Sequence, residues 1–278
     1  MGKVSKSGKR KEKKTNGILI AIGFVIAGWL ALQQVIDVPE NGAKSPLIEN
    51  VEIPAKITGR QEQIITHAGY TVSYNSDWKI PNWVAYELTK EEVDGVELRG
   101  NHFIPDPEVP FGKSATTDDY KNSGWDRGHM APAADMKWSE QAMTESFYLS
   151  NICPQDKSLN SGVWKSLEEQ VRGLALQKGK IYVVCGPVVS KRHKTIGNNE
   201  VAVPDAFFKA LLQNDNGNWH AIAFMFANES GRKPLSTFAM SVKDIQNITD
   251  IDFFPALPDS IEDKVESHVD FTKWNISR

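Results

Sequence analysis

Gly124-Trp125-Asp126-Arg127-Gly128-His129-Met130-Ala131-Pro132 sets an acid, a fixed cation and a histidine around one glycine. Imidazole is the side chain best matched to proton transfer near neutral pH. A guanidinium beside it keeps its charge under all working conditions. Glycine lets the backbone take conformations that a substituted residue resists. Such a trio suits the removal of a proton from water next to an anionic group. Taken alone, the string also fits a surface turn with a bystander histidine, so the segments on its carboxyl-terminal side have to decide between the two.

Phe147-Tyr148-Leu149-Ser150-Asn151-Ile152-Cys153-Pro154-Gln155 reads as a buried strand that ends in a polar turn. Leu159-Asn160-Ser161-Gly162-Val163-Trp164-Lys165-Ser166-Leu167-Glu168 then opens a helix. Together with Asp126-Arg127-Gly128-His129, these segments resemble the DNA/RNA non-specific endonucleases, the sugar-nonspecific nucleases of the ββα-metal type. That family carries Asp-Arg-Gly-His, then Ser-Asn-x-x-Pro-Gln, then Leu-Asn-x-Gly-x-Trp with a Glu four residues beyond the Trp. Each position is met here in order. The segments Pro81–Tyr86, Arg99–Pro107, Ile181–Pro187, Val203–Lys209 and Asp252–Pro255 extend the likeness over roughly Tyr70 to Phe271.

The resemblance implies a metal-dependent endonuclease that hydrolyses phosphodiester bonds of DNA and RNA without sequence preference. His129 is the expected general base, and a hydrogen bond to its second ring nitrogen is expected to fix the tautomer. His67, His102, His193, His220 and His268 lack such a context and read as solvated or structural. Asn160 is the expected metal residue. One neutral amide oxygen suffices for Mg²⁺, which keeps most of its waters, with Mn²⁺ as a substitute. A helix cap is a compatible second role for Asn160. Glu168, with Trp164 between, falls on one drifting helix stripe with Asn160, where it would hold a metal-bound water. Val163, Leu167, Val171 and Leu174 form the opposite, core-facing stripe. Arg99, four residues before Phe103, is the expected charge stabiliser. Ile104 stands where family members frequently carry a second Arg. Asp126 and Arg127 are expected to brace their loop by an ion pair or backbone bonds, and Asn151 to orient groups near the metal.

The amino terminus differs from the rest. Met1 to Asn16 holds seven cations and one acid, Thr15 to Ile36 holds no charge, and Ile18 to Leu32 is nearly all apolar. A helix over Ile18–Ile36 would be about 28 Å long, near the thickness of a bilayer's hydrocarbon core. The expected organisation is a basic cytoplasmic segment (1–16), a transmembrane signal anchor (17–36), a linker (37–66) of which part can pack on the domain, and a nuclease domain (67–278). The cations should stay cytoplasmic and send the domain across the membrane, to the periplasm or the cell exterior. Secretion after signal cleavage is the alternative, although Ala31-Leu32-Gln33 is a poor cleavage site. A Lys-rich flank containing Glu12 is unlike a mitochondrial transit peptide.

The 278-residue chain has net charge −3, so beyond residue 16 it carries about −9. That balance argues against tight, non-specific duplex binding and favours an enzyme that releases its product over a tether of the same fold. Any positive groove must be local, with Arg99, Arg127, Lys157 and Lys165 as contributors. Cys153 and Cys185 fall on expected strands, with a disulfide and two buried thiols equally open. The oligomeric state is open too, a homodimer included.

Strand-like runs cover Thr71–Tyr74, Val84–Leu88, Phe147–Ile152, Lys180–Cys185, Ala206–Gln213 and Trp219–Phe226. Helices are expected near Glu140–Thr144, Val163–Lys178 and Ser241–Thr249. Because strands and helices do not alternate strictly, the fold class is α+β, a largely antiparallel central sheet flanked by helices.

Overall fold

A computed structural model describes residues 48–231, 233–274 and 276. The segments read as basic flank and membrane anchor lie outside the described residues. Among the described residues no helix is long and apolar enough to cross a membrane.

One sheet is built from seven strands: β1 (Gln63–Thr66), β2 (Thr71–Asn75), β3 (Ile80–Thr89), β6 (Lys180–Val188), β9 (Ala206–Asp215), β10 (Asn218–Ala227) and β11 (Ala239–Met240). They lie side by side in the order β1-β2-β3-β6-β9-β10-β11. All their pairings are antiparallel, as the sequence led us to expect. Two ribbons stand apart, β4 (Asp126–His129) with β5 (Ile152–Gln155), and β7 (Lys194–Ile196) with β8 (Val201–Val203).

Helix α1 (Glu140–Glu145) is capped by Ser139, whose side chain accepts from Ala142 N. Period-two alternation explains why the central strands are apolar on both faces. On one face lie Val84, Tyr86 and Leu88 of β3, Ile181, Val183 and Cys185 of β6, Phe207 and Leu211 of β9, and Ile222, Phe224 and Phe226 of β10. They pack against Leu167, Val171 and Leu174 of helix α2 (Lys165–Lys178) and Ile152 of β5. The expected core stripe of that helix is thus in place, with Val163 partly buried at its edge. On the other face Trp83, Ala85, Val184, Phe208, Ala210, Leu212, Ala221 and Ala223 meet helices α3 (Val242–Thr249) and α4 (Asp259–Ser267).

Two expectations need correction. The run Phe147–Ile152 is not a strand: Tyr148 makes only an isolated bridge to Ile104, Leu149–Asn151 is a 3₁₀ turn, and β5 starts at Ile152. Ser150 donates to Asp106, and the Asn151 amide bonds the backbone of Ala131 and Ser146. Polar side chains that capture backbone groups compete with a strand ladder. The folded unit also begins before residue 67. Of the stretch read as a tether, β1 pairs with β2, and Val51 and Ile57 are buried beside Phe253 and Phe254.

If residues 48–66 belong to the core, Ile57→Ala should cost about 2–5 kcal/mol, the range for truncating a buried Ile. Urea unfolding followed by tryptophan fluorescence checks this. An unchanged midpoint would return the segment to the status of a tether.

Candidate active site

Strands β4 and β5 pair from Asp126↔Gln155 to His129↔Ile152, and the chain then enters a helix directly. Asp156 caps it, its side chain accepting from Ser158 N and Leu159 N. The ribbon and the helix that follows β5 are thus neighbours, which sets the start of β4, at Asp126, against the helix entry, at Asn160. Asn228 pins the junction. Its Nδ2 donates to Pro154 O (3.1 Å) and Pro204 O (2.9 Å), and its Oδ1 accepts from Asp156 N (2.7 Å). No sequence signal marks that residue, which lies far away on the loop after β10.

Gly128 has to be glycine because of close approach. A Cβ there would fall 2.2–2.8 Å from Oε1, Cβ and Cδ of Gln155. The middle of the Asp-Arg-Gly-His string is therefore fixed by packing across the ribbon.

Helix entry departs from the regular stripe expected from residue spacing. Asn160–Trp164 forms a wide π-type turn in which Gly162 leaves helical geometry (φ −107°, ψ −115°). Regular α-helix resumes at Lys165, so Asn160 and Glu168 are not two turns of one uninterrupted helix. Wide turns of this kind are frequent at functional sites.

Asn160 Nδ2 donates to Asp126 Oδ2 at 3.1 Å. That bond spends the amide nitrogen and leaves Oδ1 as the acceptor available to an ion. Both residues line a cleft of about 500 Å³, with Arg127, Lys121, Trp125 and Phe103 among its other walls. The donor set, a neutral amide oxygen beside a carboxylate, fits a hard cation that retains waters. Asp126 and Arg127 form no ion pair with each other. Asp126 orients Asn160, and the Arg127 guanidinium sits 4.3 Å from the centre of the Phe103 ring.

His129 is buried, at 9% exposure. Its ring meets Phe147 edge-on at 4.9 Å and Phe103 at 5.4 Å. The bond expected to fix its tautomer is not made at Nε2, which has no partner among the described residues. Burial first, then the positive charges of Arg99 and Arg127, bring its pKa down to about 3. The imidazole is therefore neutral across the physiological range, the state a base requires. Arg99 is exposed and lies 5.4 Å from the centre of the Phe147 ring, so Arg99, Arg127 and His129 gather around two phenylalanines.

Asn151 does not reach the cleft. Its side chain accepts from Ala131 N at 2.8 Å and donates to Ala131 O and Ser146 O at 2.9 and 2.8 Å. Its backbone carbonyl also accepts from Met130 N. It thereby holds the chain just after His129. Asp106 supports the same region, accepting from Ser150 Oγ and pairing with His67 Nε2 at 2.9 Å. His67 is accordingly structural, as the sequence implied. Cys153 and Cys185 are free thiols; Cys185 Sγ lies 3.1 Å from Met130 O and ties the His129 strand to β6.

Glu168 is partly buried, among charges that sequence spacing alone did not bring together. Desolvation pushes its pKa up to about 7, opposed by Lys209 and Arg172 and reinforced by Asp135. Arg172 donates to Asp135 at 2.7 Å, and Tyr86 OH donates to the other oxygen of Asp135 at 2.9 Å. Lys209 is 1% exposed, with its ammonium 4.6 Å from the centre of the Trp164 ring. By alternation it occupies the slot between Phe207 and Leu211 on the face packed under α2. A cation in an apolar strand position was the available signal, because a charge is rarely buried without a partner. Of the cations expected in the groove, Arg127 is among its walls, whereas Arg99, Lys157 and Lys165 are not, and Lys165 pairs with Glu169 at 3.7 Å. Lys121 takes a place there instead.

Comparison with known proteins agrees with this architecture. Residues 49–260 match the DNA/RNA non-specific endonuclease family. Human mitochondrial nuclease EXOG is 34% identical over 236 residues, covering 79% of this chain and 63% of that protein. Bovine mitochondrial endonuclease G is 33% identical over 207 residues, covering 69% of each chain. The chain thus spans somewhat under two thirds of the human relative. The crystal structure of an EndoG/EndoGI complex aligns with TM-score 0.69 at 28% identity, covering 77% of this chain and 92% of that one. With most of its length matched, the chain belongs to the DNA/RNA non-specific endonuclease family.

Proposed function

We propose that this chain is a metal-dependent endonuclease that hydrolyses phosphodiester bonds of DNA and RNA without sequence preference. His129 is the general base, and Asn160 holds a Mg²⁺ ion, for which Mn²⁺ can substitute. The observation that carries the reading is the Asn160–Asp126 hydrogen bond at the cleft, which prepares an amide oxygen next to the strand that bears a neutral histidine. When bound, the ion would offset negative charge building on the phosphate and the leaving oxygen.

The chain's own residues supply the rest. His129, kept neutral by burial and two guanidiniums, takes a proton from the attacking water. Arg99 and Arg127 attract the phosphate backbone and stabilise charge on its oxygens. Asp126 orients Asn160. Glu168 would help to hold a water of the bound ion, and Lys209 and Arg172 balance its charge. The amino-terminal apolar span we read as an uncleaved anchor that leaves the catalytic domain outside the cytoplasm.

Purified protein should cut plasmid DNA and RNA, and EDTA should abolish both activities. His129→Ala and Asn160→Ala should each lower the rate by about 10²–10⁴-fold with the fold retained. Because the free imidazole titrates far below neutrality, the pH profile of kcat/KM should show no His129 ionisation between about pH 5 and 8. Normal turnover by folded His129→Ala protein would remove the base assignment.

Lys209→Met should raise the Mg²⁺ concentration needed for half-maximal rate by about 10–100-fold, with KM for DNA little changed. Lys209→Arg, which keeps the charge, should recover part of the loss. An unchanged Mg²⁺ titration in folded Lys209→Met protein would leave Lys209 with a packing role only.

Protease added to intact spheroplasts should digest the nuclease domain, and full-length chain should stay with membranes through a carbonate wash. A released protein starting near Gln33 would show instead that the segment is a cleaved signal.

A further inference from the structure

The cleft continues past Lys121. A trough of about 490 Å³ shares Asp118 and Lys121 with it and runs between the loop of residues 116–123 and the turn of the β7–β8 ribbon at residues 196–199. That turn is fastened to the cleft wall. Asp119, on the short helix Thr117–Tyr120, accepts from Asn199 N at 3.0 Å and Asn199 Nδ2 at 2.8 Å. It also accepts from Thr116 N at 2.7 Å and Thr116 Oγ1 at 2.9 Å. Gly197, at φ +67°, packs so closely on Asp119 that a Cβ would overlap it. The ribbon is therefore held at a fixed place beside the cleft.

The segment that leads into this turn is basic. From Ser190 to Asn199 it contains Lys191, Arg192, His193 and Lys194 and no acid. Lys191, Arg192 and Lys194 are exposed and enter no ion pair among the described residues. By alternation Lys194 points to the same side of β7 as Ile196, which is a wall of the trough about 7 Å farther along the strand. The nearby acids do not cancel these charges. Asp119 is buried and spent on four hydrogen bonds, and Asp205 accepts from Ser190 N at 2.8 Å. Asp118 and Glu200 remain exposed, against four free cations counting Lys121.

We propose that Lys121, Lys191, Arg192 and Lys194 form a phosphate track that holds the substrate strand beyond the cleft. The proposal rests on reading the chain as a nuclease and names the part of the surface that takes the flanking nucleotides. A nucleic-acid backbone is the ligand that fits. Its phosphates repeat along the strand, as the cations recur along the trough and its rim, and Ser123 and Asn198 place polar groups between them for the sugars. Contacts of this kind position a strand without reading its bases, which agrees with cleavage that has no sequence preference. These residues touch no reacting atom, so they govern affinity and its salt dependence.

The test measures binding apart from cutting. Full-length protein in detergent is titrated in EDTA into a fluorescein-labelled single-stranded DNA of about 20 nucleotides, longer than the site of one small binding domain. Anisotropy is read from about 50 to about 200 mM KCl, where each phosphate contact on a single strand contributes about −0.7 to the slope of log K against log salt. The triple substitution Lys191→Gln, Arg192→Gln and Lys194→Gln should flatten that slope by about 2 and weaken binding about tenfold at the lowest salt. Lys121→Gln alone should flatten it by about 0.7. A charge-matched control uses exposed lysines on the opposite sheet face, Lys56→Gln, Lys243→Gln and Lys264→Gln, and should leave slope and affinity unchanged. An equal loss in the control would reduce the effect to net charge and overturn the track. So would a folded triple variant that binds as its parent does, and plasmid cutting by the parent would then keep the nuclease reading in place. A flattened slope in protein that cuts nothing would uphold the track and remove the catalytic reading. Parent protein that neither binds the strand nor cuts plasmid DNA would remove both.

Discussion

The bond from Asn160 to Asp126 joins two stretches of chain that are 34 residues apart, and much of the molecule exists to make it form. A neutral amide is a weak cation ligand, so in the proposed metal site its value would lie in being held with the oxygen free and the nitrogen occupied. Holding it requires a strand and a helix entry at fixed separation. Gly128 permits that approach by leaving room for Gln155, Asp156 starts the helix on time, and Asn228 fastens their junction to the β8–β9 loop. The wide turn at Asn160–Trp164 then sets the amide at the cleft while Trp164 goes into the core.

The histidine is governed by the opposite requirement. An imidazole in water is partly protonated near neutrality and so partly useless as a base. Here Phe103 and Phe147 exclude water, and Arg99 and Arg127 oppose a further positive charge. Burial and the same two guanidiniums thus keep the imidazole unprotonated. This local arrangement would also reconcile an acidic chain with the anionic substrate proposed for it. Attraction at the cleft is set by a few nearby cations and falls off within about 10 Å in physiological salt, so the remainder's charge of about −9 counts little there.

How far the sequence revealed this depended on whether the signal was local. Strand-like runs that do not alternate strictly with helices pointed to the antiparallel α+β sheet, and His129, Asn160 and Asp126 were legible through the short motifs that carry the family resemblance. The failures were non-local. Phe147–Ile152 is apolar enough for a strand, yet Asp106 and the backbone at Ala131 and Ser146, brought in by the fold, turn it into a 3₁₀ turn. Residues 48–66 have little periodicity because they pack singly onto a surface made by Phe253 and Phe254, so they read as linker. A regular helical wheel likewise could not register the wide turn before Lys165.

Lys209 shows most clearly what alternation alone can and cannot say. Its place between Phe207 and Leu211 requires a side chain facing the core, and an ammonium there needs compensating charge. Its compensation comes from Glu168, Asp135 and the face of Trp164, the last on the same turn as Asn160. Arg172 and Tyr86 complete the set by binding the two oxygens of Asp135. The network is therefore close to balanced only as a whole. Removing one cation would leave carboxylates to be neutralised by protons instead. On the proposed reading, a residue with no contact to the substrate would in this way tune how strongly the site holds a cation, which gives a physical reason for a lysine in the apolar middle of a strand.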